Sequence, residues 1–204
     1  MNPRFKTTAN LNVRSGPGTS HRVLKVLPPG TIVDDLLPSG WCQIAPDQWV
    51  SRDFLEPYID LPEPKHLVVA RGELGVKEIY GGGDNPRIVE YHQTCSLKAT
   101  DDETPWCSAF INWCVIQAGL TGTNSAAAIS WMQWGKAVPL AQGTPGDLVI
   151  FSRTGGNHVG FYLSHDNNAI RVLGGNQKDE VNIATFSRAR FLGLRRSEAK
   201  KAEG

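Results

Sequence analysis

Two stretches decide the fold of this chain: TPWCSAFINWCVIQAGL, residues 104–120, and PGDLVIFSRTGGNHVGFYLSH, residues 145–165. The first predicts a helix, because Thr104 is a suitable cap, Pro105 fits the first helical position and Gly119 fits the C-terminal stop. The second contains two apolar runs separated by a glycine turn, which predicts two β-strands. A helix followed by strands indicates an α+β domain.

The flanking sequence extends this pattern on both sides. Short helices are predicted over residues 65–75, over 85–95 with Asn85 as cap and Pro86 in the first turn, and over 124–135. Further strands are predicted from AIRVLGGN (169–176), VNIATF (181–186) and ARFLGLRR (189–196). Because the helices come first and the strands follow, we expect helices packed on an antiparallel meander.

The first quarter of the chain has a different character. Between Thr7 and Pro57, short apolar runs alternate with Gly- and Pro-containing turns, and no helical period is sustained. This pattern is typical of a small β-barrel. The segment EPYIDLPEPKH (56–66) contains three prolines and reads as a semi-rigid linker. We therefore expect two domains, 1–60 and 61–204, with the boundary near Asp60.

Composition excludes several classes of protein. The 204 residues are 40% apolar and 20% charged with a net charge of +1, so no global basic field indicates nucleic-acid binding. No apolar run reaches the ~18 residues that a membrane helix needs. The N-terminus shows no apolar core of a secretory signal, so synthesis in the cytoplasm is expected. The four cysteines lack a CxxC spacing and are expected to be free thiols.

Cys107 is the first candidate for chemistry. It falls in the first turn of the predicted helix, where the helix dipole and unpaired backbone N–H groups are expected to lower the pKa of the thiol. The same amides could form part of an oxyanion hole. The alternative is that Cys107 is a small buried hydrophobe. Cys114, two turns deeper in the helix, is assigned to the core.

His158 and Asn176 are predicted to face each other across a hairpin. A three-residue loop at 166–168 pairs residues whose numbers sum to 334, which places His158 opposite Asn176. A two-residue loop would turn the two side chains to opposite faces, so we predict the longer loop or a compensating bulge. Asn176 could then fix the imidazole tautomer. The alternatives are a surface histidine and a simple turn.

Two tryptophans are candidates for substrate contact, Trp106 beside the candidate nucleophile and Trp131. An exposed Trp131 would form a wall of a peptide groove, although its spacing from Trp134 is more typical of core packing. No metal or cofactor is expected, because Cys107 and His158 lack two further clustered ligands. The remaining histidines are expected at the surface; they are at positions 21, 66, 92 and 165.

The ordered motifs PWCSAFINWC, PGDLVIFSRTGGNHVGFYL and GGN resemble the CHAP and NlpC/P60 group of cell-wall hydrolases. The resemblance covers Leu67 to Arg195, and GVKEIYGGGDNPRIVEYH (75–92) is similar to the start of the CHAP-like subgroup. It implies a papain-like fold with Cys107 as nucleophile, His158 as base and Asn176 as orienting residue. Many CHAP enzymes place a Glu just ahead of the Asn, whereas this chain has Gly174 and Gly175.

The first segment resembles a bacterial SH3 domain, on the motifs NVRSGPG (12–18), PPGT (28–31), GWCQI (40–44) and WVSRDFL (49–55). Such domains accompany wall hydrolases and bind peptide or glycan. The alternative is a spacer that shapes or covers the catalytic groove. The full expectation for the fold is thus a small SH3-like β-barrel followed by a papain-like domain with helices packed on an antiparallel sheet.

The resemblance, together with the candidate residues, implies a monomeric peptidoglycan hydrolase that cleaves an amide bond in or next to the stem peptide through a thioester. The bond would be muramoyl–L-alanine (amidase) or γ-D-glutamyl–diamino acid (endopeptidase). Alternatives are a wall-binding module with an inactive second domain and a thiol acyltransferase or deamidase. The enzyme would reach the wall or periplasm by lysis, injection or non-classical export. An export apparatus and a cognate immunity protein are therefore candidate partners.

Overall fold

A computed structural model describes residues 3–36, 40–58 and 62–198. The chain divides into two compact units, residues 1–62 and 63–204. The boundary predicted near Asp60 lies among residues 59–61, outside the described part of the chain. No helix in the described ranges is long and apolar enough to cross a bilayer.

The first unit consists of short antiparallel strands and a 3₁₀ turn at Arg52–Phe54. The strands are β1 (Arg4–Thr7), β2 (Leu11–Arg14), β3 (Val23–Leu27), β4 (Ile32–Asp34), β5 (Trp41–Ala45), β6 (Gln48–Ser51) and β7 (Leu55–Tyr58). They form a three-stranded sheet in the order β4-β1-β7 and a four-stranded sheet in the order β3-β2-β6-β5. Leu11, Val13, Cys42 and Val50 form its buried core.

The SH3-like barrel predicted for this unit is not confirmed. Within residues 3–36 and 40–58, the strand pairs leave both sheets open, with β4, β7, β3 and β5 as edges. A barrel requires every strand to have a neighbour on each side. The alternating apolar pattern was sufficient to predict short antiparallel strands, but it carries no information on closure.

The second unit combines three helices with a six-stranded antiparallel sheet. The helices are α1 (Lys65–Gly72), α2 (Pro86–His92) and α3 (Cys107–Gln117), and 3₁₀ segments occur at Ala128–Gln133, Leu140–Gln142 and Arg188–Arg190. The strands are β8 (Lys136–Val138), β9 (Leu148–Arg153), β10 (Gly156–His165), β11 (Ala169–Gly174), β12 (Asn182–Ser187) and β13 (Phe191–Arg196). Their order is β12-β11-β10-β9-β13-β8. The predicted mixture of helices and an antiparallel sheet is confirmed.

The observed helix ends agree with the predicted cap and stop residues at two places and differ at a third. The side chain of Asn85 caps α2 by accepting a hydrogen bond from the Arg87 amide, as predicted. Gly119 follows the C-terminus of α3 with a φ of 80°, which favours glycine. The start of α3 was predicted too early, because the helix begins at Cys107 and its cap position is Trp106, whose side chain makes no cap bond.

Helix α3 is the centre of the larger core. Its residues from Cys107 to Val115 are all buried, which is typical of a helix enclosed by other elements on all sides. Alternate residues of β10 face the two sides of the sheet. Val159 and Phe161 belong to the core around α3, whereas Tyr162 packs in a second cluster on the opposite face.

A bulge sets the register between β10 and β11. At the loop end, Ser164 pairs with Arg171 and His165 with Ile170, but beyond the extra residue Leu163 the pairs are Tyr162 with Val172 and Phe161 with Leu173. The residue numbers of these last two pairs sum to 334. The predicted register, reached by a compensating bulge, is therefore present on the side of the hairpin that carries His158.

Candidate active site

Cys107 is the first residue of α3, so its thiol lies where the helix leaves backbone N–H groups without intrahelical partners. Only 3% of the residue is exposed. Burial raises the pKa of the thiol above its usual value, and three kinds of group oppose this effect: the Val159 amide, the Arg153 guanidinium, and the amides of Ser108 and Cys107 itself. The amides at the helix start lower the thiol pKa, as predicted, but burial outweighs them and the net shift is upward.

The amide contact from Val159 brings the thiol against β10, one residue away from His158. A second link runs through Gly174, the last residue of β11, and Gly175, which follows it. A Cβ at Gly174 would lie 3.4 Å from His158 Nε2, and one at Gly175 would lie 2.4 Å from the ring of Trp106. These two consecutive residues therefore lie against the imidazole and against the residue that precedes Cys107, respectively. The same contacts explain why a Glu is absent here: Gly175 has no room for a side chain.

His158 is buried at 3% exposure, in β10 opposite Phe151 of β9. Its ring stacks on Phe186 with 5.0 Å between centroids, and its Nε2 lies 3.2 Å from Oε1 of Gln177. Burial lowers the pKa of His158 to about 4, with the hydrogen bond to Gln177 opposing the shift and the charge of Arg153 adding to it. The imidazole is therefore neutral at pH 7.

The amide of Gln177 is held in one orientation by Asn182. Its Nε2 donates to the backbone oxygen of Asn182 at 2.7 Å and to Oδ1 of Asn182 at 2.9 Å. Asn182 Nδ2 donates in return to the backbone oxygen of Gln177. With its NH₂ group used in this way, Gln177 presents only its oxygen to His158, and that oxygen can only accept. His158 must then carry its proton on Nε2, which leaves Nδ1 as a proton acceptor.

Asn176 does not take the role predicted for it. In the amide orientation that satisfies its hydrogen bonds, Oδ1 accepts from Nε1 of Trp106 at 3.1 Å and from the Trp106 backbone amide at 3.2 Å. Asn176 has a φ of 55°, so the chain turns sharply after β11. The side chain that reaches His158 is that of the next residue, Gln177. Asn176 instead holds the residue that precedes Cys107.

Trp106 and Trp131 are both fully buried, so neither can contact substrate in this structure. Trp106 Nε1 donates to Glu78 Oε1 at 2.8 Å. Trp131 Nε1 donates to Ser108 Oγ at 2.8 Å, and Ser108 Oγ donates to the backbone oxygen of Ser125. These contacts correct the expectation of a substrate wall. Both indoles support the first turn of α3 from within the core.

The other histidines and cysteines follow the sequence prediction only in part. His66 and His92 are buried rather than exposed, and Nε2 of His66 lies 2.9 Å from the backbone oxygen of Gly146. All four cysteines are free and buried. Cys114 is fully enclosed, as predicted for a core residue, and burial together with the charge of Glu73 raises its thiol pKa well above the usual value.

A cleft of about 670 Å³ opens beside His158. His158, Asn176 and Gln177 line it, and Phe151 and Phe186 form apolar parts of its wall. Cys107 is not among its lining residues, so the cleft exposes the imidazole but not the sulfur.

A cluster of three carboxylates is the one group in the described ranges whose residue types suit a metal ion. Asp84, Asp102 and Glu103 each offer an oxygen, and these atoms lie within 4.8 Å of one another. Carboxylate oxygens are ligands for hard cations such as Ca²⁺. Asp102 is also structural, because its Oδ2 accepts hydrogen bonds from the backbone amides of Ile79 and Asn85. Neither Cys107 nor His158 belongs to this cluster.

Residues 99–176 match the family described as the CHAP domain, and this segment contains Cys107, His158 and Asn176. Among the curated proteins, none matches the sequence.

Several solved structures are similar to this chain at low identity. NlpC2 from Trichomonas vaginalis is 16% identical with a TM-score of 0.38, over 97% of this chain and 73% of that one. A NlpC/P60 family protein from Bacillus cereus is 18% identical with a TM-score of 0.42, over 96% and 63% of the two chains. The peptidoglycan hydrolase RipB from Mycobacterium tuberculosis is 20% identical with a TM-score of 0.43, over 65% and 62%.

Proposed function

We propose that this protein is a cysteine-dependent peptidoglycan hydrolase in which Cys107 is the nucleophile, His158 the base and Gln177 the residue that orients the base. The observation that best supports the proposal is the fixed tautomer of His158. Asn182 holds the Gln177 amide, Gln177 Oε1 accepts the proton on Nε2, and Nδ1 is left free to accept a proton from a thiol.

The resting site holds a neutral thiol and a neutral imidazole, since burial raises the pKa of Cys107 and lowers that of His158. A preformed thiolate–imidazolium pair is therefore disfavoured. We infer that His158 Nδ1 takes the thiol proton as the sulfur attacks the substrate carbonyl, so that charge separation and bond formation proceed together.

The first turn of α3 supplies the groups that stabilise the intermediate. Attack on the carbonyl gives an oxyanion, and helix geometry leaves the amides of Cys107 and Ser108 without intrahelical partners. One positioned donor of this kind lowers a barrier by about 3–4 kcal/mol. His158 then returns its proton to the leaving amine, a thioester remains on Cys107, and water hydrolyses it.

The match of residues 99–176 to the CHAP domain supports a cell-wall peptide as substrate. The proposed reaction is hydrolysis of an amide bond in or next to the stem peptide, either muramoyl–L-alanine or γ-D-glutamyl–diamino acid. Action at the wall or periplasm stays a prediction from the sequence.

The test is mass spectrometry of purified sacculi digested with the wild type, with Cys107→Ala and with Cys114→Ala as matched control. We expect the wild type and Cys114→Ala to release the same new fragments, whose masses identify the bond. Cys107→Ala should release none. Equal release by all three proteins would refute the role of Cys107. Binding to sacculi without any release by the wild type would instead favour a wall-binding module.

A further inference from the structure

The charged side chains that line the cleft beside His158 are all cationic. Arg153, Lys178 and Arg190 line it, and no Asp or Glu is among its lining residues in the described ranges. None of the three cations forms an ion pair with a carboxylate in that part of the chain. The protein as a whole has a net charge of only +1, so this local excess does not follow from composition.

Three separate elements bring these cations together. Arg153 ends β9, Lys178 lies in the turn after Gln177, and Arg190 ends the 3₁₀ segment that follows β12. All three side chains are exposed, so their charges are available to a ligand. Among the three, Arg153 is the cation whose charge acts on both Cys107 and His158.

A concave site with apolar walls strengthens the attraction of such cations for an anion. Phe151 and Phe186 form apolar parts of the cleft wall. Charges in a cleft with low-dielectric walls focus their field. A guanidinium also offers paired N–H donors that match the two oxygens of a carboxylate. The site therefore suits a small planar anion better than a neutral peptide.

We propose that this cationic cleft, defined by Arg153, Lys178 and Arg190, binds a free carboxylate of the substrate peptide next to the bond that is cut. The inference rests on the proposed function. A γ-linked glutamyl residue, for example, keeps its α-carboxylate close to the scissile amide, whereas the carboxamide form of the same residue has no charge to offer.

The proposal has a consequence for the base. The positive charge of Arg153 opposes protonation of the His158 imidazole. A substrate carboxylate paired with Arg153 would neutralise that charge while the bond is being cut. A carboxylate substrate would therefore be bound more tightly and would also face a stronger base.

The experiment compares two synthetic stem peptides that differ only by a carboxylate or carboxamide on the residue beside the scissile bond. The enzymes are the wild type, Arg153→Gln, Lys178→Gln and Arg190→Gln, with Arg171→Gln as control. Arg171 is an exposed arginine on β11 that does not line the cleft. Circular dichroism melts of each variant establish that it is folded.

We expect the wild type and Arg171→Gln to prefer the carboxylate peptide by about tenfold or more in kcat/KM, the range of one charged hydrogen bond. Arg153→Gln should lose most of this preference, and the other two variants part of it, mainly through a higher KM for the carboxylate peptide. Equal cleavage of both peptides by the wild type, or equal slowing of both peptides by the variants, would overturn the proposal.

Failure of the proposed function gives a different result, namely no cleavage of either peptide. In that case, calorimetric titration of both peptides into Cys107→Ala tests the cleft alone. Tighter binding of the carboxylate peptide, lost in Cys107→Ala/Arg153→Gln, would support the binding site. Equal binding of the carboxylate and carboxamide peptides would refute it. So would a cleft that binds inorganic phosphate but does not distinguish the two peptides.

Discussion

Helix α3 carries two cysteines, Cys107 in its first turn and Cys114 in its third, and the groups around the two thiols differ. Both are buried, and burial raises the pKa of both thiols. At Cys107, amides of Val159, Ser108 and Cys107 and the charge of Arg153 favour the thiolate. At Cys114, Glu73 adds a further unfavourable charge, and only its own amide opposes the shift.

The difference shows that position along the helix, rather than burial, separates a candidate nucleophile from a core residue. A first-turn thiol has backbone donors that have no helical carbonyl to bind, whereas a third-turn thiol is surrounded by amides that are already paired. Two neighbouring residues elsewhere in the site also differ in their contacts, since Gln177 bonds to His158 and Asn176 bonds to Trp106 at the start of the helix.

The largest expected effect separates the two cysteines directly. Cys107→Ser should lower kcat on a stem-peptide substrate by about a thousandfold or more, since removing a nucleophile removes the chemical step. Cys114→Ser should keep the kcat of the folded protein, while a buried hydroxyl without a good partner lowers its stability by about 1–3 kcal/mol. Steady-state kinetics and urea unfolding measure the two effects. Similar kcat losses in both variants would contradict the comparison.

The next effect separates Gln177 from Asn176. Gln177→Ala should lower kcat/KM by about 10- to 100-fold, because the imidazole loses the contact that fixes its tautomer. Gln177→Glu should move the acid limb of the kcat/KM–pH profile upward by about one unit or more, since a carboxylate favours the imidazolium.

Asn176→Ala is the matched control for this pair. It removes the contacts with Trp106 and should reduce activity without moving the acid limb. A pH profile that moves in Asn176→Ala but not in Gln177→Glu would restore the orienting role to Asn176.

A smaller effect concerns stability and pH. Because the folded-state pKa of His158 is about 4, below its usual value, the unfolded chain binds the extra proton first as pH falls. The neutral imidazole of His158 therefore places no penalty on the folded state above about pH 6.5. As pH falls from there toward 4, the free energy of unfolding decreases by about 3 kcal/mol at most. His158→Gln should flatten the slope of unfolding free energy in this range. His165→Gln should change it less, because His165 is only partly buried. Identical slopes in the wild type and His158→Gln would rule out the buried neutral imidazole.

The smallest effect tests the indole beneath the first turn of α3. Trp131→Phe keeps most of the ring volume but removes the hydrogen bond to Ser108 Oγ. We expect a loss of about 1 kcal/mol in unfolding free energy and an unchanged KM. A clear rise in KM without a loss of stability would show that Trp131 contacts substrate after all.

Local signals predicted the elements well and the contacts between them less well. The cap at Asn85 and the stop at Gly119 follow from backbone chemistry that involves a few neighbouring residues. Placing Cys107 at a helix start and His158 on a strand face also needed only local periodicity. The burial of Trp131 and His92 depends on how distant segments pack, and no local pattern reports that.

There is a specific physical reason why Gln177, and not the predicted Asn176, contacts His158. The strand register was predicted correctly, but β11 ends at Gly174 and the backbone of Asn176 adopts a positive φ. The two-residue alternation of side chains therefore stops before it reaches position 176. The sequence signal that could have found Gln177 is the pair Gln177 and Asn182, two amides close enough in sequence to bond across a tight turn.

The bulge at Leu163 has a practical consequence for protein engineering. It lies between the hairpin loop and His158, and it absorbs the one-residue offset that the loop introduces. Residues added at the loop tip, for example a peptide tag or a fluorophore attachment site at Asn167, should leave the pairing of Phe161 with Leu173 intact. Removing Leu163 would shift the pairing of β10 with β11 by one residue up to His158. The loop end of this hairpin therefore tolerates changes in length that the end near His158 does not.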